Sequence, residues 1–128
     1  MKYRPLGRSG LRVSEVSLGS WLTFGSSVDV RATRALVRRA YDLGVNLFDT
    51  ADVYANGAAE EALREAVLGL PRPYLVLATK AFFPMSDRPN DRGLSRKHLC
   101  ESVEASLRRL GTDYRDLHQC HRADSSTP

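Results

Sequence analysis

Long apolar runs, a cysteine framework and a glycine-rich phosphate loop are all missing from this sequence. No stretch approaches the roughly 20 apolar residues that a membrane-spanning helix needs. The first residues, Met1 to Pro5, are polar and lack the apolar centre of a secretion signal. A membrane role is therefore not expected. Cysteine occurs only as Cys100 and Cys120, on different expected elements, which argues against a disulfide framework and makes a reducing, cytoplasmic location the expectation. Gly19 and Gly25 do not have the G-x-G-x-x-G spacing, so a Rossmann domain is disfavoured. Lys plus Arg number 19 against 15 Asp plus Glu, but pairs such as Arg38-Arg39 and Arg108-Arg109 fall on expected helices, where a solvated face accounts for them. Nucleic-acid binding would need a basic stripe with stacking aromatics, and the sequence has none.

What is present is a regular alternation. At 128 residues, 42% hydrophobic and 27% charged, the chain suits one modest core and not a disordered segment. Tyr3 to Leu6 and Leu11 to Ser14 flank the turn Gly7-Arg8-Ser9-Gly10, which predicts a hairpin. A strand at Val16 to Trp21 follows. A helix starts at the N-cap Asp29, buries Leu36, Ala40 and Leu43, and stops at Gly44. Further strands are expected at Asn46 to Thr50, Tyr74 to Thr79 and Asp116 to Cys120. Helices from Ala58 to Leu68 and from Ser95 to Gly111 separate them. Strands joined through crossover helices imply a parallel sheet. Two loops, Ala51 to Gly57 and Ala81 to Leu94, are long, and both follow the C-terminal ends of strands, where α/β enzymes place their sites.

Side chains alternate along a strand, so each strand closes one face with a polar residue at its C-terminal end. Leu47 and Asp49 share a face, as do Val76, Ala78 and Lys80, and Leu117, Gln119 and His121. If those faces line a barrel interior, Asp49, Lys80 and His121 converge, with Tyr54 on the loop over the same rim. Each residue alone has an ordinary reading, as a turn residue, a packed aromatic or a solvated strand end. Together they fit carbonyl reduction. An Asp and a Lys at low dielectric pair. A cation beside a Tyr favours its phenolate, making it a better acid. A neutral His can donate to the carbonyl oxygen and orient it. A metal site from His118, Cys120, His121 and Asp124 is disfavoured, because alternation places His118 and His121 on opposite faces.

At these residues the chain resembles the aldo-keto reductase family. Phe48-Asp49-Thr50-Ala51-Asp52-Val53-Tyr54 is similar to its second-strand signature. Ser106-Leu107-Arg108-Arg109-Leu110-Gly111-Thr112-Asp113-Tyr114 with Asp116-Leu117 is similar to its third-helix signature. Ala78-Thr79-Lys80 and His121-Arg122 supply the lysine and histidine. Tyr3-Arg4-Pro5-Leu6-Gly7 and Gly10-Leu11-Arg12-Val13-Ser14 look like the branch that includes potassium-channel β subunits and bacterial relatives. The resemblance implies a (β/α)8 barrel that reduces small aldehydes and ketones with NADP(H). It makes Tyr54 the general acid, Lys80 its pKa modulator, Asp49 the partner of Lys80, and His121 the carbonyl-orienting group. Ser20 and Trp21 match positions lining the nicotinamide and substrate site, and Asp49 approaches the nicotinamide ribose. Ser20 stands where threonine is common, Cys120 and Ala123 replace isoleucine and proline, and His118 takes a position often held by an aromatic.

A barrel of this type needs eight strands and typically about 250 residues. The sequence supplies a hairpin and about four β/α units. It is therefore expected to be the N-terminal half of the domain, truncated before closure, with its own turnover in question. Open sheet edges and an uncovered apolar face would invite self-association. The alternative function is a non-catalytic regulatory or binding protein of the channel β-subunit type.

Overall fold

The computed structural model describes residues 1–127. β1 (Tyr3–Pro5) and β2 (Arg12–Ser14) form the antiparallel hairpin, closed by the Leu6 N–H donating to the Leu11 carbonyl at 2.8 Å. A second, fully parallel sheet has the order β3-β4-β5-β6, from Leu18–Gly19, Leu47–Asp49, Val76–Ala81 and Leu117–Cys120. Helices α1 (Val30–Asp42), α2 (Ala58–Val67) and α3 (Arg96–Leu110) make the crossovers. The hairpin docks at the N-terminal end of β4, where Asn46 Oδ1 accepts from the Ser14 N–H at 2.7 Å and Asn46 Nδ2 donates to the Arg12 carbonyl at 3.0 Å. It thus lies at the opposite end of the sheet from the polar strand ends.

Local chemistry sets the helix limits. Asp29 Oδ1 accepts from the Ala32 N–H at 2.8 Å, and Ser95 Oγ from the His98 N–H at 3.2 Å. Both are N-caps that satisfy donors a helix cannot pair internally. The main core lies on one side of the sheet, where Phe48 and Leu77 pack against Val37 of α1, Leu63 of α2 and Leu110 of α3. Alternation then sends Asp49 and Lys80 to the other side.

Three expectations need correction. Leu36 and Leu43 are exposed, at 49% and 53%, and α1 instead buries Thr33 and Val37, with Ala40 partly buried against the core. Leu36 and Leu43 are seven apart and share a stripe, but that stripe lies about 100° from the one that meets α2. Tyr74 is not in a strand: Arg72–Tyr74 form a 3-10 turn with Pro73 at its second position, Tyr74 is exposed, and β5 starts at Val76 and runs on through Lys80 to Ala81. The strand expected at Val16 to Trp21 pairs only over Leu18–Gly19, because Trp21 already lies in a turn. On α3, the fully buried stripe is His98, Ser102, Ser106 and Leu110, while Leu99, Val103 and Leu107 are half-buried beside it.

Candidate active site

Parallel pairing brings the strand ends together. β4 and β5 are in register with Asp49 opposite Ala78, so Lys80, two residues on, projects from the same face. Lys80 Nζ donates to Asp49 Oδ2 at 2.7 Å, to the Thr50 carbonyl at 2.8 Å and to the Tyr54 hydroxyl at 3.4 Å. An ammonium has three protons, and all three are engaged. The pair is only partly buried, with side-chain exposures of 12% for Lys80 and 30% for Asp49, so one edge of the carboxylate stays open.

The loop carrying Tyr54 is tightly shaped. Ala55 and Asn56 both take left-handed φ values, 49° and 51°, and Gly57 follows at 94°. Such strain persists only where the surroundings enforce it. At Gly57 a Cβ would come within 2.7 Å of Arg109 Cδ, so glycine is required there for space as well as for backbone. The loop is tied down on both sides. The Asp52 N–H donates to the Lys80 carbonyl at 3.2 Å, and Asp52 Oδ2 accepts from Ser102 Oγ of α3 at 2.9 Å.

Asp52 is fully buried, and this burial raises its carboxyl pKa above the ordinary value. The Ser102 hydroxyl and the Val53 N–H oppose that shift, and Glu60 adds to it. An acid raised in the folded state binds its proton more tightly there than in the unfolded chain. The cost of ionising it is therefore absent below the unfolded pKa of about 3.8 and grows as pH rises toward the folded value. Asp52→Asn, which keeps an acceptor for Ser102, should gain stability relative to the native chain at neutral pH. The gain should vanish near pH ~4. Urea unfolding at the two pH values checks this, and a gain independent of pH would contradict it.

His121 begins just past β6, its N–H donating to the Ala81 carbonyl at 3.1 Å. Its ring lies edge-on to Tyr54, 5.7 Å between centroids, and to Phe83 at 4.9 Å. Burial lowers the imidazole pKa. The Lys80 and Arg122 cations lower it further, against the pull of Asp49. His121 is therefore neutral at pH 7 and has one N–H to donate. Trp21, 65% exposed, faces Tyr54 at 6.4 Å between ring centroids. Trp21, Val53, Phe83 and Pro84 wall an open cavity of about 590 Å³, onto which Tyr54 and His121 look. Ser20 sits beneath, its backbone N–H on the Asp49 carbonyl at 2.9 Å and its Oγ buried with no partner among the described residues. All six sequence-predicted residues thus lie around one rim. His118 and Asp124 do not join a metal cluster: among the described residues no three His, Cys, Asp or Glu side chains are placed to hold an ion. Asp124 instead accepts from the Leu94 and Ser126 N–H groups and from the Ser126 and Thr127 hydroxyls, which hold its carboxyl well below the usual range.

Residues 15–128 match the model of the aldo/keto reductase family. The chain belongs to that family. It is 52% identical over 130 residues to a protein described as a probable voltage-gated potassium channel subunit beta from Oryza sativa subsp. japonica, and 50% identical over 130 residues to one so described from Arabidopsis thaliana. Both comparisons cover all of this chain and 39% of the relative. Among solved structures, the aldo-keto reductase AKR11C1 from Bacillus halodurans, in its holo form, superposes with a TM-score of 0.86 and 35% identity, over 100% of this chain and 42% of that one. The chain spans about two fifths of the length of these relatives. Its four parallel strands are an open part of the aldo/keto reductase barrel.

Around this rim, supporting residues lie that the sequence does not mark. Glu60 is fully buried on α2. Its Oε1 accepts from Thr79 Oγ1 at 2.6 Å and its Oε2 from Arg109 Nε at 2.6 Å, fastening the strand that carries Lys80 to both helices. A charged residue three positions before the core residue Leu63 was the available signal. Phe83 lies in the loop that length and position at a strand's C-terminal end single out, but nothing in the sequence marks this residue within it as a wall of the cavity.

Proposed function

We propose that the rim of Asp49, Tyr54, Lys80 and His121 reduces aldehydes or ketones to alcohols with NADPH, with Tyr54 as the general acid. The observation that carries this reading is the single ammonium of Lys80 bound at once to the Asp49 carboxylate and the Tyr54 hydroxyl. Asp49 fixes the position of that ammonium. The ammonium stabilises the phenolate left when Tyr54 gives its proton to the carbonyl oxygen. Neutral His121, edge-on to Tyr54, orients the same oxygen through an N–H.

The residues fit the reacting end of a nicotinamide cofactor. The Ser20 hydroxyl lacks a partner among the described residues, the Trp21 indole is open to solvent, and the Asp49 carboxylate keeps an exposed edge. Ser20, Trp21 and Asp49 would hold that end beside the cavity. When bound, the cofactor supplies a hydride to the carbonyl carbon.

The test is aldehyde-dependent oxidation of NADPH by the purified protein. Saturable oxidation with a simple aromatic aldehyde is expected from the rim within a closed barrel, and little from the open four-stranded part alone. Tight NADPH binding with no oxidation by any aldehyde would contradict it and favour a second reading, a regulatory subunit. The names of the two plant relatives support that alternative. A stable complex with a channel protein would then be its positive evidence. Both cysteines are free and exposed, which supports a reducing, cytoplasmic setting. No helix among the described residues is long and apolar enough to cross a membrane.

A further inference from the structure

The cavity beside Tyr54 carries a charge that carbonyl reduction does not require. Its walls are apolar and aromatic, but Arg122 stands at the exposed edge. Among the described residues that line it, none is acidic. The guanidinium is held at two points: Nη1 donates to the His121 carbonyl at 2.7 Å, and Cζ lies 5.5 Å from the Phe83 ring centroid. No acidic group among the described residues forms an ion pair with it within 4.0 Å. The acid of the rim, Asp49, is already engaged by Lys80, whose three protons are all committed. Burial is the main reason His121 favours its neutral form, and Lys80 and Arg122 add to it against Asp49.

We propose that Arg122 is a specificity residue, and that the site takes carbonyl compounds bearing a carboxylate or similar anionic group on an aromatic or apolar frame. This rests on the carbonyl-reduction reading of the same rim. His121 and Arg122 line the same cavity with Phe83 between them, 4.9 Å from the imidazole and 5.5 Å from the guanidinium by its ring centroid, so one small molecule in that cavity can meet both. The planar fork of a guanidinium matches a carboxylate with two parallel hydrogen bonds. Pinning by Phe83 and the His121 carbonyl removes part of the side-chain freedom that binding would otherwise cost. A charge-assisted contact of this kind is worth about 10- to 100-fold in affinity.

The experiment compares 4-carboxybenzaldehyde with its neutral methyl ester, methyl 4-formylbenzoate, as substrates of the native protein and of Arg122→Gln. The native protein should show a KM about 10- to 100-fold lower for the acid. In Arg122→Gln the ratio of the two KM values should fall to near one, and Arg122→Lys should restore part of it. A ratio near one in the native protein, or an unchanged ratio in Arg122→Gln, overturns the inference. Calorimetric titration with benzoate and with neutral benzamide reads the same contact without turnover. Benzoate should bind more tightly than benzamide, and only benzoate should lose affinity in Arg122→Gln. Arg122-dependent benzoate binding with no aldehyde reduced would support the anion site while sinking the reductase reading. Reduction of both aldehydes with equal KM would do the reverse.

Discussion

Tyr54→Phe should lower the rate of carbonyl reduction about 10²- to 10⁴-fold, the contribution of a positioned general acid. The ring contacts that hold the side chain, edge-on to His121 and tilted toward Trp21, do not involve the hydroxyl. The one hydroxyl contact among the described residues is the 3.4 Å donation from Lys80, whose other two protons stay on Asp49 and Thr50. The variant should therefore fold normally and keep its cavity, with the loss falling on kcat and not on KM. Steady-state kinetics with one aldehyde decide it. A rate within about tenfold of native would remove Tyr54 from the acid role.

Arg109→Leu should cost about 3–5 kcal/mol of stability, the usual effect of stripping one partner from a buried charge pair. Glu60 has no exposed surface, and Arg109 is its only cationic partner within 4.0 Å among the described residues. Without the guanidinium, a carboxyl group remains in the core with only the Thr79 hydroxyl. The contact also spans three elements, since Thr79 lies on β5, Glu60 on α2 and Arg109 on α3, so its loss loosens the frame beneath Lys80. Glu60→Gln added to Arg109→Leu should recover part of the loss, because a neutral amide costs less to bury than a charge. The surface pair Arg34–Glu65 offers a contrast. At 3.8 Å, with side chains 56% and 44% exposed, Arg34→Ala should change stability by less than about 1 kcal/mol. Urea denaturation of the three variants checks the ranking, and an Arg109→Leu effect no larger than that of Arg34→Ala would contradict it.

Period-two alternation made the rim legible. It placed Asp49 and Lys80 on one face from sequence alone, and parallel pairing needed only to set them side by side. Asp29 and Ser95 were equally readable, because an N-cap depends on residues within one turn. What could not be read depends on contacts distant in sequence. Leu36 has the same apolarity as Val37, and only the position of α2 decides which of them is buried. Asp52 and Ser102 lie 50 residues apart, and neither is unusual in its own segment. Tyr74 shows the limit of β propensity, since Pro73 before it favours a turn over the aromatic's preference for a strand. Beyond its spacing from Leu63, Glu60 carries no mark of burial in its own segment, because its partners Thr79 and Arg109 lie 19 and 49 residues away.

If the rim works as proposed, it delivers a proton to a carbonyl oxygen as a hydride reaches the carbonyl carbon. Incubating the protein with an aldehyde and NADPH deuterated at the nicotinamide C4 tests it most directly, with the product alcohol read by mass spectrometry. The native protein should place one deuterium on the carbinol carbon, and Tyr54→Phe should yield very little labelled alcohol. Alcohol formed without deuterium from either C4 epimer, or equal labelled product from both proteins, would contradict it.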